Sequence, residues 1–272
     1  IKSNSSGEAE RLPVGTAGQI LQSNGTNPVW TNKILPNPIT ISNGTDSDHD
    51  IDFTAGNFNF DDGTGQAAVT ALTKQLDDSW AAGTGQGGLD TGSIAANTWY
   101  YCFAIYNPTT STADFLFSAS YSSPTLPSGY TKKQYRGAIL TDASSNIRQF
   151  TQDKNYFVYN TGGGILDLSK TSGIATTKTN FTFSLPNAID CIGWFKGYYS
   201  ASSGRSIYFF NKNEVDFTPT ASNSDFHNDS THNPRSRDLF KLVSNGVMAY
   251  RSTSTTASAL NIYTKGWIDN NI

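Results

Sequence analysis

Apolar and polar residues trade places along this chain at short intervals. Phe181, Phe183 and Leu185 alternate with Asn180, Thr182 and Ser184, the period of two that a half-buried antiparallel strand shows. Ile189 to Phe195, Ile207 to Phe210, Leu239 to Val243, Val247 to Tyr250, and Leu260 with Ile262 predict further strands. Trp99 to Tyr106 is apolar almost throughout, which predicts a strand covered on both faces. Phe115 with Phe117, Ile139, Ile147 with Phe150, and Tyr156 to Tyr159 continue the series, and shorter candidates fall at Ile39–Ile41 and Ile51–Phe53. One stretch departs from this period. Val69, Leu72, Leu76 and Trp80 recur every three or four residues, which predicts one short helix over about 68–82. Lys74, Gln75, Asp77 and Asp78 fall on its polar face, and Gly83 is placed to end it in a left-handed conformation.

Punctuation between these runs suggests three parts. A connector over 1–32 contains a hairpin turning at Asn24-Gly25 and returning through Pro28-Val29-Trp30. So small a hairpin buries too little to stand alone and calls for a neighbour or copies of itself. A β-rich part with the single helix covers 33–162, and the break at Thr161-Gly162-Gly163-Gly164 separates it from a second β-rich part over 163–272. The fold class expected is all-β, with short antiparallel strands in sandwich or jelly-roll-like domains. The chain opens on Ile1 rather than Met, so it reads as a piece of a longer polypeptide.

Composition narrows the function classes. Charged residues make up 15% of the chain and the net charge is −3, so no basic surface is available to replace counterions on nucleic acid. No long apolar span or signal peptide is visible, which argues against membrane insertion and for assembly in a cytoplasm. Cys102 and Cys191 each sit in an apolar run and are expected as buried free thiols.

Several segments resemble a domain found in many phage and prophage tail-fibre proteins. They are LTKQLDDSW (Leu72 to Trp80), GGLDTGSIAANTWY (Gly87 to Tyr100), DFLFSASYSSPTLPSGY (Asp114 to Tyr130) and RGAILTD (Arg136 to Asp142). The terminal GWID (Gly266 to Asp269) resembles how such proteins end. RLPVGTAGQILQSNG (Arg11 to Gly25) resembles a short module that precedes a distal domain in tail-fibre and tail-spike proteins. The resemblance implies a virion component, homotrimeric, joined to other tail or baseplate proteins. It implies a distal role in attachment to a host glycan or outer-membrane receptor, and it carries no catalytic residue or cofactor. The stretch from Gly163 to Ser258 matches least, which is where receptor choice is expected to reside.

Gly83-Thr84-Gly85-Gln86-Gly87-Gly88 fits a GxGxxG pattern, but it follows the predicted helix instead of opening one, so a turn is expected. Asp46, Asp48, Asp50 and Asp52 alternate around His49 and are weak candidates for a cation site; exposed carboxylates in a turn are the plainer expectation. His227 and His232 offer two ligands where zinc takes three or four. Asp190, Glu214 and Asp216 are candidates for a polysaccharide depolymerase, with nothing to mark a pair. The better lead is aromatic. Tyr198, Tyr199 and Tyr208 flank a loop containing Arg205, and a second loop carries Arg235 and Arg237. Sugar rings pack on aromatic faces, and arginines bond their hydroxyls. Trp194 is expected in the core. An enzyme is not expected; the rivals to a host-attachment fibre are a purely structural fibre or head-decoration protein, and a tail-spike depolymerase.

Overall fold

Every element assigned among the described residues is a β-strand, and the chain is all-β. The computed structural model describes residues 2–3, 7–10, 14–15, 19–23, 28–32, 38–211, 213–228, 235–243, 246–255 and 259–272. They divide into two units, Ile1–Asn37 and Pro38–Ile272.

In the first unit β1 (Lys2–Ser3) pairs with β2 (Ala9–Glu10), and β3 (Gln19–Ser23) pairs antiparallel with β4 (Pro28–Asn32). The predicted hairpin therefore forms, with Leu21 opposite Trp30; its expected turn at Asn24-Gly25 lies outside the described residues. Leu21 is 52% exposed, as expected of a hairpin too small to cover its own apolar face.

The second unit runs β5 (Ile41–Asn43), β6 (Asp50–Phe53), β7 (Gly56–Asn59), β8 (Gln66–Val69), β9 (Leu72–Ser79), β10 (Gln86–Leu89), β11 (Trp99–Asn107), β12 (Thr112–Ser118), β13 (Lys132–Leu140), β14 (Phe150–Asp153) and β15 (Tyr156–Tyr159). It continues with β16 (Ile165–Lys170), β17 (Thr179–Thr182), β18 (Cys191–Ser200), β19 (Arg205–Asn211), β20 (Phe226–Asn228), β21 (Arg235–Val243), β22 (Val247–Ser252) and β23 (Ala259–Asp269). One sheet has the order β13-β11-β12-β10-β9-β6-β5. Its two ends approach each other, with Arg136 Nη2 on β13 donating to the Ile39 carbonyl at 3.2 Å, so the sheets form a nearly closed, barrel-like arrangement. A second sheet has the order β14-β15-β23-β18-β21, with β16 also on β23. Beside it lies β17-β22-β19-β20. Phe183 and Phe209 meet Phe195 between these two sheets, at 4.9 and 5.6 Å between ring centroids.

The predicted helix over about 68–82 is absent. Val69 ends β8, the chain turns, and Leu72 to Ser79 form β9. A spacing of four residues satisfies both periods, since i and i+4 also share a face of a strand. The residue that hid the strand is Lys74. It occupies the inward position between Leu72 and Leu76 and is completely buried. Its ammonium sits 3.1 Å from an Asp114 carboxylate oxygen and donates to the carbonyls of Ala81 and Gly83, at 2.6 and 3.1 Å. Burial lowers the Lys74 pKa against the pull of Asp114.

The glycine-rich motif is a turn followed by strand β10. Gly83 and Gly85 have positive φ, and β10 lies parallel to both neighbours, a departure from the antiparallel expectation. A Cβ on Gly87 would fall 2.1 Å from the Ser79 carbonyl oxygen, and one on Gly88 would fall 2.7 Å from the Phe117 ring. Side chains there would push β10 out of the sheet.

Strand β11 is covered on both faces, as its pattern predicts. Tyr100, Cys102 and Ala104 join the main core, while Tyr101, Phe103 and Ile105 join a second cluster with Leu116, Tyr135 and Ile189. Both cysteines are buried and unbridged; burial pushes the Cys191 thiol up to about 12. The residues on either side of the Gly162–Gly163 break share a sheet, because β15 and β16 both pair with β23.

Candidate functional site

The alternating pattern of β18 decides which aromatic residues face outward. Cys191, Gly193, Phe195, Gly197 and Tyr199 point inward and are buried, whereas Trp194, Lys196 and Tyr198 point outward. Residues directly opposite on neighbouring strands share a face, so the registers of β16, β23, β18 and β21 build three rows. Ser169, Asn261 and Tyr198 make the first. Leu166, Tyr263, Lys196 and Asp238 make the second. Gly266, Trp194 and Phe240 make the third.

Trp194 and Phe240 stack with centroids 5.6 Å apart and planes within 11°. Phe240 is 56% exposed and Leu166 50%. Trp194 is half-buried on the outer face, which corrects its expected place in the core; glycines at 193 and 197 and the bulge between Trp194 and Phe195 blur the period around it. Its indole nitrogen is covered and has no hydrogen-bond partner among the described residues. Beside the stack, Gly163, Lys196, Tyr198, Asn261 and Tyr263 line a groove of about 380 Å³.

The other aromatic candidates part company here. Tyr199 is fully buried, with its hydroxyl 2.9 Å from Ser252 Oγ; it cannot meet a ligand and is a core residue joining β18 to β22. Tyr208 lies on β19 in a different sheet. Its hydroxyl donates to Glu214 at 2.7 Å and the Lys241 ammonium lies 4.0 Å from its ring centroid. Burial first, and then the Glu214 carboxylate, push its pKa far up. Arg205 is half-buried at the start of β19. Arg237 is exposed with its guanidinium 5.6 Å from the Phe226 ring, opposite Gly197 and so away from the outer rows. Arg235 pairs through its backbone with Tyr199, and its side chain lies outside the described residues.

The acidic candidates are held by their own neighbours. Asp46 accepts from Asp48 N and contacts His49 Nδ1 at 3.1 Å, which lowers its pKa and raises that of His49. Asp48 lies in the same turn, while Asp50 and Asp52 lie on β6; Asp50 is raised by burial. The four alternating carboxylates are therefore divided between a turn and a strand. No group of three or more potential metal ligands occurs among the described residues. His227 bonds Ser206 Oγ at 2.7 Å, and His232 lies outside the described residues. Glu214 is engaged by Tyr208, and Asp216 pairs with Arg251 at 3.0 Å; Asp190 is exposed just before β18.

Sequence reasoning missed Trp194 as an outward residue, and it missed Tyr263, Asn261, Lys196 and Phe240. Strict alternation along 259–265 was the signal that could have found Tyr263 and Asn261. Comparison with known protein families, curated proteins and solved structures finds no match.

Proposed function

We propose that this chain is a tail-fibre segment of a tailed bacteriophage, carried in the virion, that attaches to a glycan on the host cell surface. The observation that carries this reading is the outward face of β16-β23-β18-β21, where Trp194, Phe240, Tyr198 and Tyr263 are interleaved with Lys196 and Asn261. Aromatic faces with polar groups between them suit sugar rings, which are apolar on their faces and polar at their rims. The ordered resemblance of the segments from Arg11 to Phe150 to tail-fibre proteins supports the virion assignment. With it goes a sandwich or jelly-roll-like C-terminal part in a homotrimer, bound to other tail or baseplate proteins. Three copies of a shallow site gain avidity on a repetitive surface.

A purely structural fibre is the second reading, favoured by the exposed apolar side chains of Phe240 and Leu166 on this face: the same face then packs between copies. The depolymerase reading has less support, because Glu214 and Asp216 are engaged by Tyr208 and Arg251. Preincubating host cells with the purified chain separates the three. An attachment protein blocks phage adsorption, a structural fibre leaves it unchanged, and a depolymerase releases reducing ends from purified capsule or lipopolysaccharide.

A further inference from the structure

We infer that the groove between Tyr198 and Tyr263 is a subsite for an acidic sugar residue, one carrying a carboxylate or a phosphate group. The inference rests on the host-glycan reading above and adds the charge class of the ligand.

The lining is rich in hydrogen-bond donors. Ser169 Oγ donates to Asn261 Oδ1 at 2.8 Å, which orients the amide and leaves its Nδ2 as the outward donor. Lys196 adds an ammonium, which can only donate. The hydroxyls of Tyr198 and Tyr263 have no partner among the described residues and can also donate. No carboxylate lines the groove. The nearest acid by register is Asp238, opposite Lys196 on the far side from Tyr263, and no ion pair joins the two.

A neutral sugar offers hydroxyls that donate as readily as they accept. A carboxylate or phosphate only accepts, and it gains charge-assisted bonds from an ammonium. An acceptor group placed between Lys196 and Asn261 therefore meets donors of both side chains. The sugar ring then rests against a tyrosine face, since Tyr263 lies directly opposite Lys196 and Tyr198 directly opposite Asn261. Lys196 and Tyr198 are two residues apart on one strand, a separation of about 7 Å. The groove volume falls within the range of roughly 300–1,000 Å³ for small-ligand clefts.

The test is a calorimetric or NMR titration of the purified chain with methyl β-D-glucuronide, glucose 6-phosphate and methyl β-D-glucoside. At least one anionic sugar is expected to bind about tenfold or more tighter than the neutral glucoside, a difference of about 1.4 kcal/mol, and the stronger of the two identifies carboxylate or phosphate as the group recognised. Lys196→Gln is expected to abolish that preference, Tyr263→Ala to weaken all three, and Asp238→Asn to tighten the anionic sugars. Unchanged melting and far-ultraviolet spectra confirm that the variants fold. Equal binding of glucoside and both anionic sugars, no binding at all, or an unaltered preference in Lys196→Gln overturns the proposal. Adsorption to cells separates this failure from failure of the attachment reading. If Lys196→Gln adsorbs as well as the parent, the subsite is overturned and attachment stands. If the parent adsorbs to no strain yet selects the anionic sugar, the chemistry of the groove stands and its assignment to a host receptor falls.

Discussion

Lys74 and Asp114 are held together where almost no water reaches either, at 0% and 3% side-chain exposure. Truncating one partner leaves the other charged and unpaired, a loss of about 3–5 kcal/mol. Asp114→Ala is expected to destabilise by that amount in urea unfolding, and Lys74→Met combined with Asp114→Leu to recover most of it. The exposed pair of Asp62 and Lys132 behaves differently. Lys132 first, and then Thr64, lower the Asp62 pKa to about 2. A depressed carboxyl pKa contributes stability above its unfolded value, and that contribution is lost as pH falls through about 2. Carboxyl NMR titration is expected to show Asp62 near 2, and to show it rising toward its ordinary 3.8 in Lys132→Ala. Residue by residue, the candidate site was partly legible. Tyr198 and Tyr199 are indistinguishable as residue types, and only the phase of β18 sends one outward and the other into the core. That phase is visible in the alternation of buried glycines with larger residues, once the strand is known.

Strand β23 shows what an element adds to its residues. Its GWID end must let β15 approach closely, because a Cβ on Gly266 would lie 2.0 Å from the Phe157 carbonyl oxygen. Gly266→Ala is expected to part β15 from β23 at a cost of at least about 1–3 kcal/mol, read as a lower melting temperature and faster amide exchange at Val158. Strands were legible wherever one face meets solvent and the period of two survives, as at Leu260 and Ile262. They were illegible where a tertiary partner changes the meaning of a polar residue. Lys74 reads as surface in the sequence and is core in the fold, because Asp114, forty residues away, arrives with β12. The parallel placement of β10 was equally hidden, since it depends on the space left by Gly87 and Gly88 between two strands that the local pattern does not relate.

At the scale of the whole molecule, the last strand ties the second unit together. Tyr135 on β13 donates to Asp269 at the end of β23, at 2.6 Å. Burial raises the Asp269 pKa, and the Tyr135 and Asn271 donors oppose that rise. Tyr135→Phe removes a donor from a buried carboxylate and is expected to cost about 1–3 kcal/mol at neutral pH. A raised carboxyl pKa makes the folded state favour protonation, so stability is lost as pH rises through it. The penalty in the variant should therefore shrink as the pH falls below neutral, as chemical denaturation at neutral and acidic pH will show. The same strand brings Asn261 and Tyr263 beside Tyr198 and Lys196, although more than sixty residues separate them in sequence. The outward face is thus a product of topology, which explains why the chain alone named Tyr198 and not the Asn261, Tyr263 and Lys196 that lie beside it.

Attachment of this face to a host glycan, as proposed above, is read most simply from binding of the purified chain to intact cells of a panel of bacterial strains. Parent protein and Trp194→Ala are compared, before and after periodate oxidation of the cells. Saturable binding of the parent to at least one strain is expected, lost after periodate and weakened at least about tenfold in Trp194→Ala. Binding to no strain, or binding indifferent to both periodate and Trp194, would contradict it.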